Sequence, residues 1–297
     1  MNERAETRVT AVIVAYNSAR VIERCLGALQ DVDRVVLVDN ASRDDTIACA
    51  RRAHPNVDIA ANDRNLGFGA AANIGFGMVR SEFAFLLNPD SVLRPGAISE
   101  LIAAADAFPE AGALGPRLRN PSGRIERSHD AWLFAREGMP HRRDAEPEVE
   151  GPCCAGYLSG AALFLRMQAV QAIGGFDPAL FLYFEDDDLC RSLKEAGFSA
   201  IVVPSAEADH VGGGSVAPEL GSERRKYFHM GWSRLYLEAK HRGKGRAMRE
   251  GWRRAARYSA KALGYMLIGQ AHKARRDAAL LSGTLAFMRG RPASPAN

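Results

Sequence analysis

Long apolar runs are missing from this chain. No stretch reaches the roughly 18–20 residues that a membrane-crossing helix needs, which sets a helical anchor aside. The opening MNERAETRVT is polar and charged and lacks the apolar core of a secretory signal, so the expected compartment is the cytoplasm. Cysteine is scarce. Cys25, Cys49, Cys153, Cys154 and Cys190 are an odd number, and only Cys153 and Cys154 are close. Adjacent cysteines lack zinc-ligand spacing, and an odd set makes no disulfide framework, so these are expected to be reduced, mostly buried thiols. No Gly-Lys-Ser/Thr closes a glycine loop, which excludes a P-loop. The first apolar run carries no G-x-G-x-x-G, which excludes the dinucleotide fingerprint, and no internal repeat is visible. What is present is 47% hydrophobic and 25% charged over 297 residues, a globular composition long enough for one large domain or a domain with an appendage.

Acid is short at one end only. Residues 222–297 hold 18 Lys and Arg against 4 Asp and Glu, a balance of +14, while residues 1–221 hold 21 against 31, a balance of −10. The two parts cannot share one electrostatic task. The expected division is a domain over 1–221 and a basic helical extension over 222–297. Such an extension points to an anionic partner, a membrane surface or nucleic acid.

Along the first 115 or so residues, apolar runs alternate with helical spacing. VTAVIVAY (Val9–Tyr16) is β-branched and suits a strand buried on both faces. A helix with apolar residues at Val21, Ile22, Cys25, Leu26 and Leu29 follows, with Ser18 placed to cap it. RVVLVDN is a second strand and SRDDTIACARRA a second helix, with Ser42 as its cap; NVDIAA, FGAAANIGFGMVR, EFAFLLNPDSVL and GAISELIAAADAF continue the alternation. This period predicts βαβ units and a parallel sheet, with a ligand crevice at the carboxyl ends of the strands. RLRNPSGRIERS reads as a hairpin turning at Asn120–Gly123, and REGMPHRRDAEPEVEGP as a mobile charged loop. A strand and short helix resume in LSGAALFLRMQAVQAIGGF. A last strand, SAIVVPSAEADH, runs into a glycine loop, and helical patterning holds from Ser222 to about Arg289.

Three polar clusters fall where strands end. In VDNAS, Asp39 can accept hydrogen bonds from a ribose or base amide, or can join Ser42 in capping the next helix. In NDRNLGFGAAANIGFG, glycines 67, 69, 75 and 77 permit close approach of backbone to ligand, though such helices also simply pack tightly. In FLLNPDSVL, Asp90 just past an apolar strand suits a hard divalent cation bridging two phosphates, and equally an Asn-Pro-Asp-Ser turn.

Taken in order, VIVAYN, VLVDNASRDDT, NLGFGAAANIGF, LLNPDS, LSGAALFLRMQAVQAIGGFD, FLYFEDDDLCRSLKEAGF and the late His-Val-Gly-Gly-Gly-Ser resemble the family 2 glycosyltransferases over about residues 9–215. Within that family the chain is similar to the bacterial rhamnosyltransferase-type branch that builds cell-surface polysaccharide. The resemblance implies an α/β GT-A fold, Rossmann-like, a nucleotide-diphosphate sugar donor, a divalent metal (Mg²⁺ or Mn²⁺) and inversion at the anomeric carbon. It implies that Asp39 reads a uracil or thymine edge, that Tyr16 and Asn17 line the same pocket, and that Arg64, Asn65 and Gly67 lie along the donor. Asn88-Pro89-Asp90 stands where the family has Asp-x-Asp. Asn88 departs from that pattern, so Asp90 is the surer metal ligand, and His210 matches a second ligand of some relatives.

LFLYFEDDDLCRSLKEAGF sets Glu185, Asp186, Asp187 and Asp188 against an aromatic run. By the resemblance, the Glu185-Asp186 pair contains the catalytic base, on Asp186. An inverting displacement needs one carboxylate beside the attacking hydroxyl, to take its proton. Helical spacing gives Leu189, Cys190 and Leu193 a buried face, puts Glu185 and Asp186 at the favourable N-terminal end of the dipole, and leaves Asp187 to solvent. Asp188 supports the helix start or an acceptor hydroxyl. Phe181, Tyr183 and Phe184 suit an acceptor-side sugar platform or core.

The basic tail interleaves its cations with Trp232, Tyr236, Trp252, Tyr258 and Tyr265. That mixture suits peripheral attachment to the inner face of a membrane, or a homodimer contact with solvated charges. No nucleic-acid recognition motif accompanies it. The resulting expectation is a metal-dependent inverting transferase moving L-rhamnose from dTDP-L-rhamnose to a saccharide or polyprenyl-linked acceptor. The alternatives are a UDP-galactofuranose or UDP-hexose donor, or a degenerate GT-A binding module, which Asn88 favours.

Overall fold

β1 (Val9–Ala15) is buried along its whole length, as VTAVIVA predicts for a strand covered on both faces. The computed structural model describes residues 8–30, 32–211 and 222–293, so the glycines after His210 in the last motif and the opening polar stretch lie outside the described residues. In chain order follow α1 (Ile22–Gly27), β2 (Arg34–Asp39), α2 (Thr46–Ala53), β3 (Asp58–Ala61), α3 (Phe68–Met78), β4 (Phe83–Leu87), β5 (Ser91–Leu93), α4 (Ala97–Ala107), β6 (Ala111–Arg119), β7 (Ile125–Glu126), β8 (His129–Asp130), α5 (Leu133–Arg136), β9 (Cys153–Ala155), β10 (Tyr157–Leu158), β11 (Ala162–Arg166), α6 (Met167–Ile173), α7 (Glu185–Glu195), β12 (Ser199–His210), α8 (Ser222–Arg242), α9 (Lys244–Leu267) and α10 (Ala271–Met288).

The described residues fall into two compact units. One is drawn from within Met1–Leu66, Ala70–Phe176 and Asp186–Ala217, the other from within Gly67–Gly69, Asp177–Glu185 and Pro218–Asn297. The first is a mixed sheet in the order β3-β2-β1-β4-β11-β6-β12-β5. β1, β2, β3 and β4 are parallel, as the alternating pattern predicts. Beyond β4 the sheet departs from that prediction, because β11 inserts antiparallel between β4 and β6 and β5 pairs antiparallel with β12. An apolar run says that a strand is buried and nothing about its direction. Phe83, Phe85 and Phe164 are fully buried where β4 meets β11, with ring centroids 4.8 and 6.2 Å apart. Burial of each such side chain contributes about 1.5–3 kcal/mol.

Two expected helix caps have other duties. The backbone carbonyl of Ser18, not its hydroxyl, meets the start of α1 by accepting from Val21 and Ile22. Ser42 accepts from the Asn17 amide at 2.9 Å while its own amide donates to Asp39, and α2 starts later, at Thr46. The charged stretch read as a mobile loop is held in place. α5 ends at its first residue, Arg136, and Glu146 accepts from Arg127 and Arg136 while Asp130 accepts from Arg136. Cys25, Cys49 and Cys190 are buried free thiols, whereas Cys154 is exposed.

In the second unit, α8 and α10 pack backbone to backbone. A Cβ at Gly283 would collide with the Phe228 carbonyl, and one at Gly231 with the Leu280 carbonyl, so only glycine permits this approach. Trp232 donates to the Arg291 carbonyl at 2.8 Å and stacks on Tyr236, whose hydroxyl donates to Asp177. Of the aromatic run, Phe181 stacks on His229, with centroids 4.8 Å apart, and serves as core. Burial lowers His229 to about 4, which keeps the ring neutral.

Candidate active site

The first-unit strands end in a row of strained, hydrogen-bonded turns. Asn17 after β1 and Ala41 after β2 hold φ of 51° and 66°, left-handed values that non-glycine residues adopt only under constraint. The constraint is a knot of amides. The Asn40 side chain accepts from the Asn62 side chain and the Leu66 amide and donates to Asn65 at 3.0 Å, while the Asn17 side chain accepts from the Arg43 amide. Asp39, 3% exposed, accepts from the Ser42 amide on one oxygen; its other oxygen is buried without a hydrogen-bond partner. A buried, unsatisfied acceptor costs roughly 1–3 kcal/mol, so this atom asks for a donor from outside the chain. Tyr16 is half-buried and Arg64 exposed at the same sheet edge. Asn65 is engaged in the knot and supports the loop. Asn40 and Asn62 stand inside VDNAS and NDRNLGFG, but only their convergence gives them a role.

The Asn88–Asp90 turn follows β4. Asp90 is 2% exposed, and its Oδ1 lies 3.7 Å from Nε2 of His210. The antiparallel register of β5 with β12, His210 opposite Ser91, brings them together. His210 Nδ1 faces a Glu126 carboxylate oxygen at 3.0 Å, so the ring can donate there and keep the Nε2 lone pair towards Asp90. Ligand bonds of about 2.1 Å place neighbouring donors about 3 Å apart and opposed donors about 4 Å apart, so Asp90 and His210 fit one shared cation. Among the described residues no three His, Cys, Asp or Glu side chains group to hold a metal. The remaining ligands would have to be diphosphate oxygens and water. Asn88 gives its amide to the Ala161 carbonyl at 3.0 Å and shapes the turn.

Asp186 sits in the first turn of α7. Its Oδ2 accepts from the Tyr157 hydroxyl at 2.9 Å and from the Gly160 amide at 3.0 Å. Ala161, the next residue, accepts on its carbonyl from the Asn88 amide and the Ser91 hydroxyl. The segment Ser159–Ala161 thus joins the Asp186 carboxylate to the Asp90 turn. Leu189, Cys190 and Leu193 form the buried face of α7 as expected, and Asp188 is buried at 2% exposure.

Asp187 is not solvated, as helical spacing predicts, but 8% exposed. The Leu133 amide, at the start of α5, bonds to it. α5 is four residues long, Leu133–Arg136, too short to show helical spacing, so the cover over Asp187 could not be anticipated. Burial, with Asp186 alongside, pushes the Asp187 carboxyl up to about 8. Burial also raises Asp186, but three donors, the Tyr157 hydroxyl and the Gly160 and Asp187 amides, favour its carboxylate form. Because the folded Asp187 binds its proton more tightly than the unfolded chain does, stability is fully present below about pH 4 and falls as pH rises towards 8. Asp187→Asn should remove that slope and gain about 1 kcal/mol or more in denaturant unfolding at pH 8, since one pKa unit is about 1.4 kcal/mol. An unchanged difference between pH 5 and pH 8 would show Asp187 to be ordinary.

Glu185, Gly67 and Tyr183 belong to the second unit. Gly67 has φ +88°, and a Cβ there would strike the Phe181 carbonyl, so close backbone packing rather than ligand approach accounts for this glycine. Tyr183 and Phe184 have φ of 67° and 68°, two consecutive strained residues directly before α7. Burial and the neighbouring Glu185 hold the Tyr183 phenol protonated.

Residues 10–164 match the model of glycosyl transferase family 2. The N-acetylglucosaminyl-diphospho-decaprenol L-rhamnosyltransferase of Mycobacterium tuberculosis is 32% identical, over 78% of this chain and 88% of that one. Among solved structures, the mannosyltransferase PcManGT from Pyrobaculum calidifontis, in complex with GDP-Man and Mn²⁺, aligns over 96% of this chain and 88% of its own, with TM-score 0.59 and 16% identity. GalNAc-T7 with UDP, GalNAc and Mn²⁺ aligns over 80% of this chain and 51% of its own, with TM-score 0.57 and 14% identity.

Proposed function

The chain belongs to glycosyl transferase family 2, a glycosyltransferase of GT-A fold, and we propose from that premise that it inverts the sugar it transfers, with L-rhamnose from dTDP-L-rhamnose as donor. The acceptor is a hydroxyl of a saccharide carried on a polyprenyl diphosphate, met at the inner face of the membrane in surface-polysaccharide synthesis. The rhamnosyltransferase relative supports donor and acceptor class. One observation carries the mechanism: a single segment, Ser159–Ala161, holds Asp186 at one end and the Asp90 turn at the other.

Asp186 removes the proton of the acceptor hydroxyl as it attacks. Tyr157 and Gly160 fix Oδ2 of that carboxylate, while Oδ1 accepts from the Asp187 amide at 3.1 Å and keeps a lone pair for the acceptor. The unpartnered Asp39 oxygen accepts from the ring N–H of thymine or uracil, and the amide knot sets the depth at which the base sits. Arg64 meets the diphosphate. Asp90 and His210, with Glu126 orienting the ring, would hold a divalent cation. When bound, that cation neutralises charge on the departing diphosphate. Asp188, buried in the first turn of α7, is the acceptor-side carboxylate of this reading.

The test is thermal unfolding with a panel of nucleotide sugars and Mn²⁺. Stabilisation by dTDP-L-rhamnose, with hydrolysis or transfer only for that donor, is the expected result. Stabilisation by UDP-galactofuranose or a UDP-hexose instead would replace the donor, and stabilisation without hydrolysis or transfer would favour a binding module without catalysis.

A further inference from the structure

The second unit carries an apolar surface that its own packing does not use. Of the seven large hydrophobic side chains exposed among the described residues, five fall on α9 or directly after it: Trp252, and in a group at its end Leu263, Met266, Leu267 and Ile268, each 60–79% exposed. Isolated exposed apolar residues are ordinary, but a cluster of this kind marks an interaction surface. At 3.6 residues per turn, Trp252, Ala256, Leu263, Met266 and Leu267 occupy one sector of α9 about 100° wide. Arg249, Arg253 and Arg257 run along the adjoining sector. Gly251 and Ala255, on the flank away from the arginines, are buried within the unit.

The tip beyond α9 is ordered by its own hydrogen bonds. Ile268 donates to the Gly264 carbonyl, Gly269 to Met266 and Gln270 to Tyr265. Lys273 and Arg276 lie over the Tyr265 ring at 5.4 and 6.0 Å, so cations and an aromatic ring stand at the collar of the apolar tip. Over its whole length α9 carries seven Lys and Arg against the single acid Glu250. No described helix is long and apolar enough to cross a membrane.

We propose that α9 lies flat in an anionic lipid interface, with Leu263, Met266, Leu267 and Ile268 inserted among the acyl chains and Arg249, Arg253 and Arg257 at the phosphates. The chemistry of both sectors selects this partner. Apolar residues set beside arginines on one helix match the boundary between acyl chains and anionic headgroups. A second copy is the competing occupant. A twofold contact would bring the same cationic flank near itself, with no acid on α9 except Glu250 to offset it. The inference rests on the proposed transferase reading only for its purpose, which is to bring the enzyme to a lipid-borne acceptor.

The experiment uses the full chain and sedimentation with vesicles of phosphatidylcholine, with or without phosphatidylglycerol. Binding to the anionic vesicles that declines with added salt is the expected result. The variant Leu263→Ser/Met266→Ser/Leu267→Ser/Ile268→Ser should lower the partition coefficient by about tenfold or more, because burying hydrocarbon and electrostatic attraction both contribute. Arg249→Gln/Arg253→Gln/Arg257→Gln should abolish the preference for phosphatidylglycerol. All the changed side chains are on the surface, and an unchanged thermal transition verifies folding. Parental vesicle binding by the serine variant overturns the proposal. So does a wild-type chain that ignores anionic vesicles and forms a dimer, seen by light scattering, that the serine variant dissolves. Transfer to a water-soluble acceptor separates the two readings: equal rates in wild type and serine variant are expected, and absence of transfer in both would count against the transferase reading while leaving the vesicle result intact.

Discussion

Asp186→Asn should retain nucleotide-sugar binding and lose transfer, with the rate down about 10²–10⁴-fold, the range that a positioned general base supplies. Asparagine keeps the shape of the side chain and can still accept from Tyr157 and Gly160, which hold Oδ2 at 2.9 and 3.0 Å. It cannot take a proton. Thermal stabilisation by the donor should therefore be unaltered while product formation disappears. Tyr157→Phe gives the complementary result. Removing one donor from a buried carboxylate raises its pKa, so the acidic limb of the pH–rate profile should move to higher pH while the limiting rate changes less. A transfer rate at the parental level in Asp186→Asn would remove Asp186 from the base role. An unmoved limb in Tyr157→Phe would make the tyrosine a packing residue.

Asp90→Ala should act on the other half of the site. It leaves His210 as a single protein donor, so Mn²⁺ should no longer strengthen nucleotide binding. The loss should reach about 10²-fold or more, since a bound cation supplies several kcal/mol to charge on a leaving group. Glu126→Gln tests the orientation of His210 more gently. A partner behind a ligating histidine is worth about 10–100-fold in metal affinity. Mn²⁺ titration by electron paramagnetic resonance, with nucleoside diphosphate present, reads both variants without reference to turnover. Metal affinity at the parental level in Asp90→Ala would place the cation elsewhere. Full affinity in Glu126→Gln would reduce its 3.0 Å contact with His210 to a surface interaction.

The sequence by itself determined the strands β1 to β4 and their parallel order, because β-branched runs separated by amphipathic segments leave few other ways to bury both faces. It determined the buried face of α7, because Leu189, Cys190 and Leu193 recur at helical spacing. Its resemblance to family 2 also singled out Asp39, Asp90, Asp186 and His210 as candidates for the chemistry proposed above. Tertiary structure alone decided what those residues meet. β11 runs antiparallel between β4 and β6, and that insertion puts Gly160 on Asp186 and Ala161 on the Asp90 turn. α5, only four residues long, lies over Asp187, and burial there raises its carboxyl. Tyr157 lies just outside the recognisable motif, and Glu126 comes from a strand of two residues with no periodic signal. The physical reason is common to all of these. Burial periodicity is a property of neighbours along the chain, whereas strand direction, carboxylate pairing and the partner of a histidine are fixed by residues that approach only when distant segments pack.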